Sequence, residues 1–345
     1  MKGNEAVVVG ALYAGCDAFF GYPITPASEI SHAAAEWFPA VGRVFIQAEC
    51  ETASINMVYG AGAAGKLAMT ATSGPGMSLM QEGLSYMAGT SLPGVVVNIQ
   101  RAGPALGNVY PEQADYNQAV KGGGHGSYHA MVLAPASVQE LCDLTLRAFQ
   151  LSFQYRTPVI VLSDAVQGQM TEALRLPDTE LPRPQGVDAW AVQGTPATRG
   201  NLHTSIFLDI AVLEGINNDL QRKYVAMQVE AAAENYRTDD AEVVFLAYGT
   251  SSRVARTAVD DLRASGIRAG LFRPLTLYPF PQEALCRLAD RRLIVVEMSC
   301  GQFRDDVIGQ FAAGLGKVPA VQLVNRMGGM VVPLETVVQA ARNPV

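Results

Sequence analysis

Three short segments carry residue types that could do chemistry. Each stands where an apolar run of strand length gives way to a helical period. Gly21-Tyr-Pro-Ile-Thr-Pro26 holds a hydroxyl, Thr25, in a loop stiffened by Pro23 and Pro26. Gln47-Ala-Glu-Cys-Glu51 brings two carboxylates, Glu49 and Glu51, to the start of a helix. Glu51 leads an almost wholly apolar helix (Ala53, Ile55, Met57, Val58), so its carboxyl should lie close to the core, where an unpartnered charge is expensive. Thr72-Ser-Gly-Pro-Gly76 is a rigid, glycine-rich turn that would let a flat ring approach the backbone. Each segment also has an ordinary structural reading. Thr25 could be a helix cap, and carboxylates in a first helical turn commonly do no more than favour the helix dipole.

A fourth pattern misleads. Gly60-Ala-Gly-Ala-Ala-Gly65 satisfies G-x-G-x-x-G, but a dinucleotide fingerprint follows a strand and opens a helix, so that backbone N–H groups meet the pyrophosphate. Here a helix runs into the glycines and a strand comes out. They are expected to end a helix and let it pack closely on a sheet.

The elements that must position these segments alternate as strands and helices, the pattern of a parallel sheet covered on both faces. Strands are expected at 17–21, 43–47, 67–72, 94–100, 131–134 and 158–162, with helices near 28–38, 52–63, 77–88 and 137–153. Val7-Val8-Val9 could be a strand, but Asn4 followed by Glu5 and Ala6 favours a helix. After Asp164 the alternation lapses into a proline-rich stretch, followed by a helix-prone one near 210–236. A second set of units begins at Glu242, with strands at 243–247, 267–271, 293–297 and 321–325 and helices near 252–264 and 302–315. The expected organisation is an α/β domain over 1–170, a linker with a surface helix over 171–240, and a smaller α/β domain over 241–345.

Composition narrows the function. The chain has 345 residues, 49% of them apolar, enough for two cores. A net charge of −7 and the lack of any Lys/Arg run argue against a nucleic-acid partner. No apolar run approaches the length of a membrane span, and Met1-Lys-Gly-Asn-Glu-Ala6 lacks the apolar core of a signal peptide, so a soluble cytoplasmic protein is expected. The five cysteines (Cys16, Cys50, Cys142, Cys286, Cys300) form no Cys-x-x-Cys pair, which disfavours a disulfide framework, a zinc site or an iron–sulfur cluster built from this chain alone.

Taken in order, the motifs resemble a known family. A glutamate after a strand with glycine nine residues on, then a strand ending in Thr-Ser-Gly-Pro-Gly, looks like the pyrimidine-binding domain of thiamine diphosphate enzymes. Tyr22-Pro-Ile-Thr-Pro26, Asn98-Ile-Gln-Arg101 and Lys121-Gly-Gly-Gly-His-Gly126 are similar to the α subunits of 2-oxoacid:ferredoxin oxidoreductases. Met1–Ala6 and Ser78-Leu-Met-Gln-Glu-Gly-Leu-Ser-Tyr86 point further, to the branched-chain (3-methyl-2-oxobutanoate) type. Ala247-Tyr-Gly-Thr-Ser-Ser252 and Leu271-Phe-Arg-Pro-Leu-Thr-Leu-Tyr-Pro-Phe280 extend the likeness into the second half, which resembles the C-terminal domain of transketolases, a domain that mainly serves assembly.

The resemblance implies CoA-dependent oxidative decarboxylation of a 2-oxoacid, with electrons passed to ferredoxin. It implies Glu51 as the acid on the cofactor's pyrimidine, with Glu49 as the alternative, since burial favours the protonated form that such a hydrogen bond needs. Ser73, Gly74 and Pro75 would line the cofactor. Thr25 and Arg101 would hold the substrate carboxylate and carbonyl, and His125 is either a pocket residue or a plain loop histidine. Gln113 and Asp115 are possible neighbours. No Gly-Asp-Gly triplet for magnesium and pyrophosphate occurs. By the resemblance, Mg2+ and 4Fe-4S clusters would sit on other subunits: a β subunit, with γ and δ subunits in some types. The remaining alternatives are 2-oxoglutarate or an aromatic oxoacid as substrate, a non-catalytic assembly subunit, and a nicotinamide dehydrogenase.

Overall fold

The computed structural model describes residues 1–343. In chain order the first part contains α1 (Gly3–Tyr13), β1 (Ala18–Gly21), α2 (Ser28–Ala40), β2 (Val44–Gln47), α3 (Glu51–Ala63), β3 (Ala68–Thr72), α4 (Gly74–Gly89) and β4 (Gly94–Gln100). There follow α5 (Tyr116–Val120), β5 (Met131–Leu133), α6 (Val138–Tyr155), β6 (Pro158–Asp164) and α7 (Ala165–Gln169). Six of these strands are mutually parallel, in the order β5-β6-β4-β3-β1-β2. Fully buried apolar strands such as Gly94–Gln100 are what a sheet covered on both faces requires.

The first segment is a helix, α1, packed on α2 and α6. The chain goes from β1 outward to β2 through α2, which packs with α1. It goes from β3 the opposite way to β4 through α4, which packs with α3. The crossovers therefore diverge between β1 and β3, the kind of crevice at strand C-termini where ligands bind in open α/β sheets.

The second part contains α8 (Ile210–Ala226), β7 (Ala233–Tyr236), β8 (Val243–Leu246), α9 (Gly249–Ala264), β9 (Ala269–Pro274), β10 (Thr276–Tyr278), α10 (Gln282–Cys286), β11 (Arg292–Glu297), α11 (Gln302–Leu315), β12 (Val321–Asn325) and α12 (Leu334–Arg342). Its sheet runs β12-β11-β8-β9-β7. Two strands go beyond the sequence expectation, as do the helices α5, α7, α10 and α12. The helix expected to reach residue 236 stops at Ala226, and Ala233–Tyr236 pairs antiparallel with β9. Its side chains are polar or partly buried, so no alternation announces it, and the pairing arises from β9 supplying a free edge. Thr276–Tyr278 lies beyond the last residue expected in its strand, yet it crosses to the first sheet and pairs antiparallel with β5.

The two sheets share one apolar core. Tyr116 of α5 meets Tyr248 and Phe303 of the second sheet's layer at ring separations of 5.6 and 5.7 Å, and Tyr248 meets Phe303 at 5.3 Å. Such aromatic contacts add about 0.5–1.5 kcal/mol each beyond area burial. Arg273 of β9, buried, forks onto Glu140 at the start of α6 with two contacts of 2.7 Å and also reaches Glu234 at 2.8 Å.

Candidate active site

The loops after β1, β2, β3 and β4 lie side by side, because these four strands are sheet neighbours. At about 4.8 Å per strand, their ends span roughly 15 Å. This ordering, and not sequence distance, brings Thr25, Glu51, Ser73 and Arg101 to one edge.

Glu51 is the first residue of α3 and only 6% exposed, while Glu49, two residues earlier, is exposed. Its carboxyl is packed against the backbone of Gly76: a Cβ built there would sit 2.5 Å from Glu51 Oε1 and 2.7 Å from its Cγ. Glycine at 76 is therefore a requirement of the approach of α3 to the start of α4. Ser73 stands at the N-cap position of α4 with extended backbone, and Pro75 occupies the first turn, where a missing N–H is harmless. The Ser73 hydroxyl is buried and has no hydrogen-bond partner.

Arg101 closes β4 and turns toward β1. Its Nη1 donates to the Thr25 carbonyl at 2.9 Å, while Nε is buried without a partner. The Thr25 side chain is exposed. The loop around it is held from below: buried Asn4 of α1 donates through Nδ2 to the Pro26 carbonyl at 2.8 Å and to Glu29 at 3.0 Å.

A polar group lies between these residues. Asn98 Nδ2 donates to Asp115 at 3.0 Å, and the Asp115 backbone N–H donates to Gln100 Oε1 at 3.1 Å. The Asp115 carboxyl lies under Gly74, both oxygens 3.2 Å from where a Cβ there would be. Burial raises the Asp115 carboxyl to about 6, with Asn98 and Arg101 opposing the rise and Glu112 adding to it. Asn98 Oδ1 is itself unpartnered. The sequence does not single out Asn4 and Asn98, which the structure brings into the hydrogen bonding at this edge. Asn98 had a signal, an amide inside the apolar run Gly94–Ile99; Asn4 is a polar residue in an apolar helix, which shows only that it needs some partner.

His125 is not brought to this edge. It is exposed, its ring stands edge-on to Tyr86 at 5.9 Å, and its carbonyl accepts from Ser85 Oγ at 2.6 Å. Tyr86 is 12 residues along α4 from Gly74, roughly 18 Å at 1.5 Å per residue. Gly60–Gly65 behaves as a packing device. Gly62 lies against the Pro93 carbonyl, Gly65 has φ +73°, and β3 follows. Among the described residues no group of three or more His, Cys, Asp or Glu side chains is placed to hold a metal, and no helix is long and apolar enough to cross a membrane.

A carboxyl buried against a backbone turn, with unpartnered polar atoms at Ser73, Asn98 and Arg101, suits a flat heterocycle with ring nitrogens and an amino group. These residues therefore fit an aminopyrimidine.

Known proteins give the class. Residues 9–238 match the family described as pyruvate flavodoxin/ferredoxin oxidoreductase, thiamine diphosphate-binding, and residues 241–337 match pyruvate:ferredoxin oxidoreductase core domain II. The chain belongs to this thiamine-diphosphate-binding 2-oxoacid oxidoreductase family. More particularly it is an α subunit of a 2-oxoacid:ferredoxin oxidoreductase, acting within a hetero-oligomer and closely related to VorB subunits. It is 58% identical to the ketoisovalerate oxidoreductase subunit VorB of Methanothermobacter thermautotrophicus, over 99% of this chain and 96% of that one. It is 43% identical to the 2-oxoglutarate synthase subunit KorA of Archaeoglobus fulgidus, over 89% and 90%. The solved 2-oxoglutarate:ferredoxin oxidoreductase from Magnetococcus marinus superposes with a TM-score of 0.82 at 27% identity; this chain is covered to 99% and spans 64% of that one. A split-gene transketolase, at 15% identity and a TM-score of 0.62, shares the fold, with 99% of this chain and 95% of that one covered.

Proposed function

We propose that this subunit takes part in the CoA-dependent oxidative decarboxylation of a branched-chain 2-oxoacid, 3-methyl-2-oxobutanoate, to the acyl-CoA and CO2, with electrons passing to ferredoxin. In this reading it supplies the pyrimidine side of a thiamine diphosphate site. A β subunit carries the diphosphate, Mg2+ and an iron–sulfur cluster, and γ and δ subunits complete the complex. The burial of the Glu51 carboxyl against Gly76, among unpartnered polar atoms, carries the assignment. The relatives named for ketoisovalerate support the substrate class.

When bound, thiamine diphosphate supplies the nucleophilic carbon and the electron sink that decarboxylation needs. Glu51 would hold the pyrimidine through a hydrogen bond from its carboxyl, the contact through which an acid can tune the basicity of the ring's amino group. Ser73, Gly74 and Pro75 would line the cofactor, and Gly76 leaves room for the Glu51 carboxyl. Arg101 receives the substrate carboxylate with its guanidinium, while Thr25, its carbonyl held by Arg101 and that of Pro26 by Asn4, offers its hydroxyl to the substrate carbonyl oxygen.

The test uses the complex purified with its partner subunits. Reduction of a viologen dye is followed with each 2-oxoacid in the presence of CoA, for wild type and Glu51→Gln. The expected result is highest kcat/KM for 3-methyl-2-oxobutanoate and near-complete loss in Glu51→Gln. A preference for 2-oxoglutarate would transfer the substrate to the class named for KorA. Activity indifferent to Glu51→Gln would end the assignment of the acid.

A further inference from the structure

From the loop that joins Arg101 to Asp115 we infer that the second domain positions the substrate-binding arginine, and does not serve assembly alone. The inference rests on the reading of Arg101 as the carboxylate-binding residue.

Residues 101–115 leave the first sheet at β4 and return beneath Gly74, but much of their fixation comes from the other domain. Gln113 is fully buried and makes five hydrogen bonds across the domain boundary. Its backbone N–H donates to the Met298 carbonyl at 2.7 Å, and its Oε1 accepts from Met298 N at 2.9 Å and Ser251 Oγ at 2.6 Å. Its Nε2 donates to the Tyr248 carbonyl at 2.9 Å, and its own carbonyl accepts from Tyr248 Oη at 3.3 Å. A buried amide satisfied in this way has one orientation, because any other strands polar atoms away from water.

A second grip lies nearer Arg101. The Gly328-Gly329 turn after β12 donates from Gly328 N–H to Glu112 Oε1 at 2.6 Å and accepts at its carbonyl from Asn108 Nδ2 at 3.1 Å. The other Glu112 oxygen accepts from Gly103 N–H at 2.8 Å, two residues from Arg101. Within the loop, Ala102 N–H donates to the Tyr110 carbonyl at 2.9 Å and Asn108 N–H to the Ala102 carbonyl at 3.1 Å. Gly329 has φ +93°, and a Cβ there would lie 2.6 Å from Tyr110 Cβ. The turn thus presses on the loop with bare backbone. An unbroken chain of hydrogen bonds runs from Gly328 through Glu112 to the backbone beside Arg101, so Gly328 and Gln113 act as positioning residues at a distance from the substrate.

The test again uses the assembled complex, with Gly329→Ala and Asn108→Ala in the surface turn contact, Gln113→Met in the buried one, Arg101→Ala, and Arg253→Ala as a control. Arg253 bridges the domains away from this loop, to the Ala136 carbonyl at 2.9 Å and Glu172 at 2.8 Å. Gly329→Ala is expected to raise KM for the 2-oxoacid about tenfold, Asn108→Ala about threefold, with kcat at saturation changed less than threefold, since one misplaced charge-assisted bond weakens binding on this scale. Thiamine diphosphate affinity, measured by equilibrium titration, stays within twofold, and hydrogen exchange accelerates at the amides of 102–113. Arg253→Ala leaves KM unchanged. Unchanged KM in both turn variants, or a parallel loss of KM, cofactor affinity and thermal stability shared by Arg253→Ala, would overturn the inference. If Arg101→Ala also leaves KM unchanged, the failure belongs to the reading of Arg101; if only the turn variants do, it belongs to the inference alone.

Discussion

Two buried glutamates at strand-to-helix junctions, Glu51 in the first domain and Glu297 in the second, show what separates a site from a scaffold. Glu297 ends β11 and is fully buried. It accepts from the backbone N–H groups of Phe303 at 3.1 Å and Arg304 at 3.2 Å and from the Ser299 hydroxyl, so it caps α11. Glu51 opens α3 in a similar position but faces Gly76 and the edge where Ser73, Asn98 and Arg101 keep unpartnered atoms. Past residue 241 and among the described residues, a single buried side-chain atom without a hydrogen bond remains, Arg291 Nε, and it still lies 3.4 Å from the Asp290 carboxylate. The second domain's carboxyl is consumed by structure. The first domain's polar atoms are held in place at a cost in stability, which a ligand can repay.

The sharpest way to break this comparison is to neutralise each carboxyl. Glu51→Gln should lower kcat of the complex by about 10²–10⁴, the range of a lost acid–base partner. Glu297→Gln should change kcat less than threefold but lower stability by about 1–3 kcal/mol, because an amide satisfies the α11 N–H groups less well; thermal unfolding of both variants checks this. If both glutamates fall into the same category, the contrast is wrong.

Gly76→Ala sharpens it. The added Cβ meets the Thr72 hydroxyl and the Glu51 carboxyl, so thiamine diphosphate affinity should fall about tenfold or more while the isolated subunit unfolds within a few degrees of wild type. Equal loss of affinity and fold would show that Gly76 serves packing alone.

A smaller effect tests Asp115. Burial raises its folded pKa to about 6 from 3.8, against the pull of Asn98 and Arg101 and with Glu112 adding to the rise. The folded protein then holds the proton more tightly than the unfolded chain, so this group's contribution is lost as pH rises from about 4 to about 6 and is flat above. Asp115 is half-buried as a residue, and solvent screening trims the effect to about 1–2 kcal/mol. Relative to Asp115→Asn, wild type should lose stability across that window, as measured by denaturant unfolding at pH 4, 5, 6 and 7; a constant difference would show an ordinary carboxyl.

The smallest effect is expected at His125. Its place beside Tyr86, far along α4, predicts that His125→Ala changes kcat/KM less than threefold.

Much of this was legible because strand ends announce themselves. Apolar runs, glycine turns and Pro26 and Pro75 marked where β1, β2 and β3 stop, and ligand-facing residues follow such stops in a parallel sheet. The reversed order of helix, glycines and strand at Gly60–Gly65 was enough to read packing there. The antiparallel strands β7 and β10 were not legible. Neither is long or alternating, and each exists only because a distant strand offers a free edge.

The sequence by itself determined the order of the motifs, the two α/β layers and the family, since these depend on local period and on residues close in the chain. The apolar helix behind Glu51 already placed it close to the core; the tertiary structure alone left Glu49 exposed and supplied the wall against Glu51, which is Gly76, brought there by the packing of α3 on α4. It alone decided that His125 stands apart from Arg101 and that the loop after Arg101 is gripped by Gly328 and Gln113. Burial and hydrogen bonding are properties of neighbours in space, and the partners involved lie up to 220 residues away.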